Sequence, residues 1–193
     1  MTEYAPGAQD ALIVVDLQVD FCPGGALAVA EGDEVVAPVN RLLDIPGWRK
    51  VATRDWHPAD HTSFQAQGGI WPAHCVAGTP GAAFHPRMNA GVVEMVVSKA
   101  TTREAEAYSG FDGTSLADDL RTGGIGRLFV CGLATDYCVK ATALDARREG
   151  FEVVVVEDAI RAVNVEPEDG KNAIEEMRAV GCAFALSSEM HSE

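Results

Sequence analysis

The chain has 193 residues, 47% of them hydrophobic and 23% charged, which is enough for one well-buried core and too little for two. A formal net charge of −14, spread along the chain, argues against nucleic acid and anionic membranes as partners, since both select basic patches. Five cysteines without a CxxC spacing argue against a disulfide framework; no basic segment precedes an apolar one at the start, no apolar run reaches spanning length, and a reducing cytoplasm is the expected location.

Residues 1–10 are polar and read as a loose N-terminal extension, leaving residues 11–193 as one predicted domain. The apolar run Ala11 to Val15 predicts a buried strand, followed by a loop from Asp16 to Ala30 in which Pro23-Gly24-Gly25 marks turns. A helix is predicted over Asp33 to Leu43, with Pro38 as a kink or a late start. Strand Lys50 to Arg54 opens a long segment, Asp55 to Arg87, rich in Pro, Gly and His; a loop of that length inside a domain is usually functional. Strand Val92 to Ser98 and a short helix Ser115 to Arg121 follow, then strand Arg127 to Cys131 and a helix running to Glu149 with Gly150 as its stop. Strand Phe151 to Val156, helix Glu166 to Val180 and a last strand Cys182 to Leu186 complete about six strands in βα alternation. The expected fold class is α/β, a three-layer α/β/α arrangement on a six-stranded, mainly parallel sheet of Rossmann-like type.

In open parallel sheets, ligands bind outside the carboxyl ends of the strands. Asp16, the Asp55/His57 pair, Lys99 and Cys138 each stand just past such an end, so the topology predicts that they meet. Cys138, placed at a helix start, is expected to favour the thiolate, with turn amides beside it able to face an oxyanion. Asp16 would take the thiol proton, and Lys99 would hold both anions in place. Asp55 and His57 lie two residues apart in a segment that Pro58 biases towards extended geometry, so both project to one side; His61 and His74 follow in the same loop. A carboxylate with two or three imidazoles suits Zn²⁺, Fe²⁺ or Mn²⁺, with His57 and His74 ranked above His61. The sequence after His74-Cys75 lacks the arginine of a phosphatase loop, since position 81 is glycine, and Gly123-Gly124-Ile125-Gly126 precedes a strand where a nucleotide loop would follow one.

These residues resemble the isochorismatase-like cysteine hydrolases, and within them the nicotinamidases (pyrazinamidases). The likeness is carried by Val14-Val15-Asp16-Leu17-Gln18-Val19-Asp20-Phe21-Cys22-Pro23-Gly24-Gly25, Thr53-Arg54-Asp55-Trp56-His57-Pro58, Asp60-His61, Ser63-Phe64 and Trp71-Pro72-Ala73-His74-Cys75-Val76. It continues through Ser98-Lys99, Tyr108-Ser109-Gly110-Phe111 and Gly132-Leu133-Ala134-Thr135-Asp136-Tyr137-Cys138-Val139, spanning about Ala11 to Ser187. The resemblance implies Cys138 as nucleophile, Asp16 as base and Lys99 as supporting cation. It implies Asp55, His57 and His74 as ligands of a divalent ion, Zn²⁺ foremost, with His61 a ligand in some members and Ser63 beside a metal-bound water. It further implies a substrate pocket of Phe21, Trp71, Tyr108, Leu133 and Ala134, a cis Leu133–Ala134 peptide, and an oxyanion hole from the amides of Ala134 and Cys138. The implied reaction is hydrolysis of nicotinamide, and of pyrazinamide, through a thioester without an organic cofactor; a homo-oligomer is compatible with it. The segment from Phe64 to Trp71 is short for the family and would alter the pocket entrance. The rival reading is another amidohydrolase of the superfamily acting on a carbamoyl or ureido substrate, against which the metal-type cluster counts. Isochorismatase proper needs no cysteine nucleophile, and a non-catalytic scaffold would be expected to have lost part of the Asp, Lys, Cys trio.

Overall fold

A computed structural model describes residues 3–192; Met1 and Thr2 of the expected extension and Glu193 of the expected domain lie outside the described residues. Six strands form the sheet: β1 (Asp10–Val15), β2 (Arg49–Asp55), β3 (Met95–Lys99), β4 (Arg127–Leu133), β5 (Glu152–Arg161) and β6 (Ala183–Ala185). Their order is β3-β2-β1-β4-β5-β6, and every pairing is parallel. The order reverses between β1 and β4, so the crevice for a ligand opens at the carboxyl ends of these two strands.

The helices are α1 (Val36–Asp44), α2 (Leu116–Thr122), α3 (Lys140–Arg148) and α4 (Asp169–Ala179). Helix α1 buries Val36, Val39, Leu42 and Leu43, an i, i+3, i+6, i+7 stripe, against Leu12, Val14, Ala52 and Phe129 on one face of the sheet. Ala11, Ile13, Val15 and Val130 alternate with those residues and point the other way, where Leu116 and Leu120 of α2, Ala143 and Ala146 of α3 and Met177 of α4 cover them. Strands covered on both faces have no need of polar alternation, which is why β1 is buried at all six positions.

Several boundaries differ from the sequence reading. Gly32–Val35 is a 3-10 turn and the α-helix starts only at Val36, placing Pro38 in the first turn, where its missing N–H costs nothing. Val92 ends another 3-10 turn, and the third strand begins at Met95. Helix α4 starts three residues after Glu166, and β5 extends to Arg161 after a register shift against β4 between Val130 and Gly132. The expected loose start is tied down at Tyr4, whose N–H donates to the Glu189 carbonyl (2.8 Å) and whose ring meets Phe129 edge-on at 5.4 Å. Among the described residues no helix is long and apolar enough to cross a membrane.

Candidate active site

The carboxyl end of β1 delivers Asp16, fully buried and with φ of 44°, so that the chain turns sharply out of the sheet. Thr53 Oγ1 donates to Asp16 Oδ1 at 2.6 Å. Lys99, the last residue of β3, stands 2.9 Å from Asp16 Oδ2 as an ion pair, so the two carboxylate oxygens have different partners, Thr53 on Oδ1 and the ammonium on Oδ2. The Lys99 ammonium also donates to Asp55 Oδ1 and to the Ala107 carbonyl (3.0 Å), and lies 3.6 Å from Cys138 Sγ. The thiol sulfur and carboxylate oxygens of Asp16 and Asp55 lie within 4.8 Å of one another, so the expected trio does meet.

Charge and burial set the proton positions. Burial, reinforced by Asp55, raises Asp16 above the usual carboxylate range, and Lys99 restrains that rise. Burial alone would lower Lys99, but Asp16, Asp55 and Cys138 outweigh it and hold the ammonium well above an ordinary lysine. Cys138 is pushed well above the usual thiol value by burial, against the pull of Lys99 and with help from the two carboxylates. Residues Thr135–Val139 form a π-turn ahead of α3, and burial beside two carboxylates works against the pull towards thiolate expected of a helix start, which leaves the thiol proton for Asp16 to take.

Asp55, the last residue of β2, turns its other oxygen towards two imidazoles. Asp55 Oδ2 is 3.5 Å from His57 Nε2 and 3.9 Å from His74 Nε2. His57 Nδ1 lies 3.2 Å from the Ala100 carbonyl and His74 Nδ1 2.8 Å from that of Pro72. A carbonyl can only accept, so each ring carries a proton on Nδ1 and turns Nε2 towards Asp55. His57 Nε2 is buried with no hydrogen-bond partner, a cost that a cation between these groups would remove. Burial pushes His74 below the ordinary imidazole value, against the Pro72 carbonyl and Asp55, while Lys99 overrides the burial of Asp55 and keeps it ionised. His61 is placed differently: its Nδ1 meets Ser63 Oγ at 2.7 Å and its Nε2 the Ala105 carbonyl at 3.2 Å, so both ring nitrogens are engaged, and it stands outside the Asp55, His57 and His74 group whose donor atoms lie within 4.8 Å of one another. It packs beside His57, ring centroids 4.3 Å apart.

Cys138, Asp55, His57 and His74 open on one cleft. Phe21, Trp71, Tyr108 and Ala134 line it as expected; Leu133 does not, because the last position of β4 points into the core on the α1 face. The Leu133–Ala134 peptide is cis. Trp71 Nε1 donates to the Tyr108 hydroxyl at 3.2 Å, and Tyr137 packs against both rings with centroids 5.4 and 5.6 Å away. Leu27, Val29, Glu106 and Val163 complete the wall, together with Ala107 and Tyr137. None of these six is singled out in the sequence, although Tyr137 adjoins Cys138 and adjacency was a usable sign. Asp136 is a further unforeseen support: its carboxylate accepts from the N–H groups of Val163 (2.9 Å) and Asn164 (2.8 Å), pinning the loop after β5 to the turn that carries Cys138.

An isochorismatase domain profile matches residues 10–189. The chain is 44% identical over 198 residues to the nicotinamidase of Escherichia coli (strain K12), covering 90% of this chain and 93% of that one. Among solved structures, it resembles the pyrazinamidase of Pyrococcus horikoshii in complex with zinc, with 50% identity, a TM-score of 0.86 and coverage of 92% and 99%. It also resembles PnC1 from L. infantum in complex with nicotinate, with 38% identity, a TM-score of 0.95 and full coverage of both chains. The parallel six-stranded sheet, the residues gathered at its carboxyl edge and a match over nearly the whole length agree: this chain belongs to the isochorismatase family.

Proposed function

We propose that this protein is a metal-assisted cysteine amidohydrolase that converts nicotinamide to nicotinate and ammonia and also cleaves pyrazinamide. The observation that carries the reading is the shared cleft: a thiol beside a carboxylate of raised basicity faces the same space as a carboxylate and two imidazoles, under aromatic walls suited to a flat ring. Nicotinamidase and pyrazinamidase relatives at 40–50% identity over nine-tenths of the chain support the choice of substrate.

Asp55, His57 and His74 are the residues that would hold a divalent ion, zinc foremost; a mixed nitrogen and oxygen donor set with directed Nε2 lone pairs suits it. When bound, the ion supplies a Lewis-acid contact for a pyridine nitrogen. Phe21, Trp71 and Tyr108 hold the ring and exclude water, which keeps the carboxamide carbon near Cys138. Asp16 takes the Sγ proton as sulfur attacks that carbon. The amides of Ala134 and Cys138 receive the oxyanion, and Lys99 balances the charge on Asp16 and Asp55 throughout. Collapse of the tetrahedral intermediate breaks the C–N bond, and the proton on Asp16 leaves with ammonia. A water attacks the resulting thioester, gives its proton to Asp16, and the C–S bond breaks to release nicotinate; that proton then returns to sulfur.

The test is ammonia release from nicotinamide by the wild type and Cys138→Ala, each with and without a chelator. The expected result is a loss of at least about 10³-fold in the variant and a chelator-sensitive, metal-restorable wild type. A reduced, metal-replete wild type that releases no ammonia from nicotinamide or pyrazinamide would transfer the assignment to a carbamoyl or ureido substrate.

A further inference from the structure

We infer that Gln18 is the positioning residue that fixes the Asp55 carboxylate between the two imidazoles and Lys99; the inference rests on the reading of Asp55, His57 and His74 as metal ligands. The β1–β2 ladder ends early, since after Asp16 the chain has left the sheet and β1 has no residue to set beside Asp55. On the opposite side Asp55 is paired with Lys99 of β3. The side chain of Gln18 takes the place of the missing strand: its Oε1 accepts from the Asp55 N–H at 2.8 Å and its Nε2 donates to the Asp55 carbonyl at 2.8 Å. Its second amide proton goes to the Ala82 carbonyl at 2.9 Å. The orientation of the amide is dictated by its partners, because the N–H can only donate and the two carbonyls can only accept.

Gln18 is itself fully buried, and its backbone bridges to Phe84, so the clamp joins the β1 loop, the end of β2 and the loop through Ala82. Asp55 has one carboxylate for two duties: Oδ1 faces Lys99 and Oδ2 faces His57 and His74. A small rotation of its backbone would improve one contact at the expense of the other, and the paired amide is what blocks that rotation. Outer residues of this kind typically carry about 10–100-fold in metal affinity.

The test measures Zn²⁺ affinity of the full chain by competition with a chromogenic chelator, independently of turnover. Gln18→Met keeps the volume but leaves three buried backbone groups unpaired, and Gln18→Glu keeps the acceptor while setting an oxygen against two carbonyls. Both are expected to bind Zn²⁺ about tenfold or more weakly than wild type, whereas Leu120→Ala, on the α2 face of the sheet, lowers the melting temperature but keeps Zn²⁺ affinity within about twofold, being remote from the ligands. Asp55→Ala sets the scale of complete loss. Should Gln18→Met fail to fold, Gln18→Glu decides by the same measurement. Wild-type affinity in a folded Gln18 variant overturns the inference and spares the metal reading; a wild type whose Zn²⁺ binding is no better than that of Asp55→Ala overturns both.

Discussion

Lys99 is the residue on which the charges of the site balance. Among the described residues it is the only cation between two buried carboxylates and a thiol, and removing one partner of such a group leaves the others uncompensated. Lys99→Met should therefore destabilise the protein by about 3–5 kcal/mol, read as a lower denaturation midpoint at unchanged slope. Asp16→Asn in the same chain should restore part of that loss by removing one of the stranded charges; an additive double variant would show that the carboxylates do not feel each other. Asp16, Lys99, Cys138, Asp55 and His57 were legible because each follows an apolar run that can only be a strand, and topology then gathers them. Gln18, Thr53 and Asp136 were not, because their value lies in backbone or side-chain partners from other strands and loops. Leu133 shows the same limit from the other side: one step along a strand reverses the face, and only the register tells cleft from core.

The elements that carry the site hold it by close approach and by unusual backbone. Gly132 in β4 has φ of 109°, and a Cβ there would run into the backbone of Val15 in β1, so the two strands that flank the crevice depend on its lack of a side chain. Gly132→Ala should cost about 3 kcal/mol or more, combining backbone strain with overpacking, and lower the melting temperature accordingly. Asp16, Cys75, Ala100 and Asn164 are non-glycine residues with positive φ, and each adjoins a site residue or supplies its partner: Cys75 follows His74, and the Ala100 carbonyl meets His57. Such conformations persist where surrounding structure imposes them, so a sequence does not announce them. The loop after β5 is held to the Cys138 turn by Asp136. Asp136→Ala should speed hydrogen exchange at the Val163 and Asn164 amides and raise the KM for nicotinamide several-fold with a smaller change in kcat; unchanged exchange at both amides would disprove the clamp. Element boundaries were misplaced where a 3-10 turn stands in place of regular helix before α1, or of strand at Val92, since such turns share the composition of the elements they adjoin and are chosen by what the neighbouring strand ends require.

For the whole molecule, the site is also a store of unfavourable burial that a bound cation would relieve. A ligand present at one hundred times its dissociation constant stabilises the folded state by about 2.7 kcal/mol; wild type should gain this with Zn²⁺, and Asp55→Ala should gain none. Equal thermal shifts in the two would place the metal elsewhere. The start of the chain contributes to the fold too, as Tyr4 packs on Phe129 and pairs with the Glu189 to His191 segment, a contact across nearly the full sequence that local polarity conceals. By itself the sequence determined the strand count, the parallel sheet and the convergence of thiol, carboxylates, lysine and imidazoles, because hydrophobic runs and the handedness of βα units leave few topologies open. Only the tertiary structure decided the rest: that His61 is engaged with Ser63 and Ala105 while His74 faces Asp55, that burial raises the Cys138 thiol, that Leu133 belongs to the core, and that a glutamine completes the edge of β2. Those outcomes depend on side-chain direction, burial and partners within a few ångströms, quantities fixed by packing between segments and not by the order of residues within any one of them.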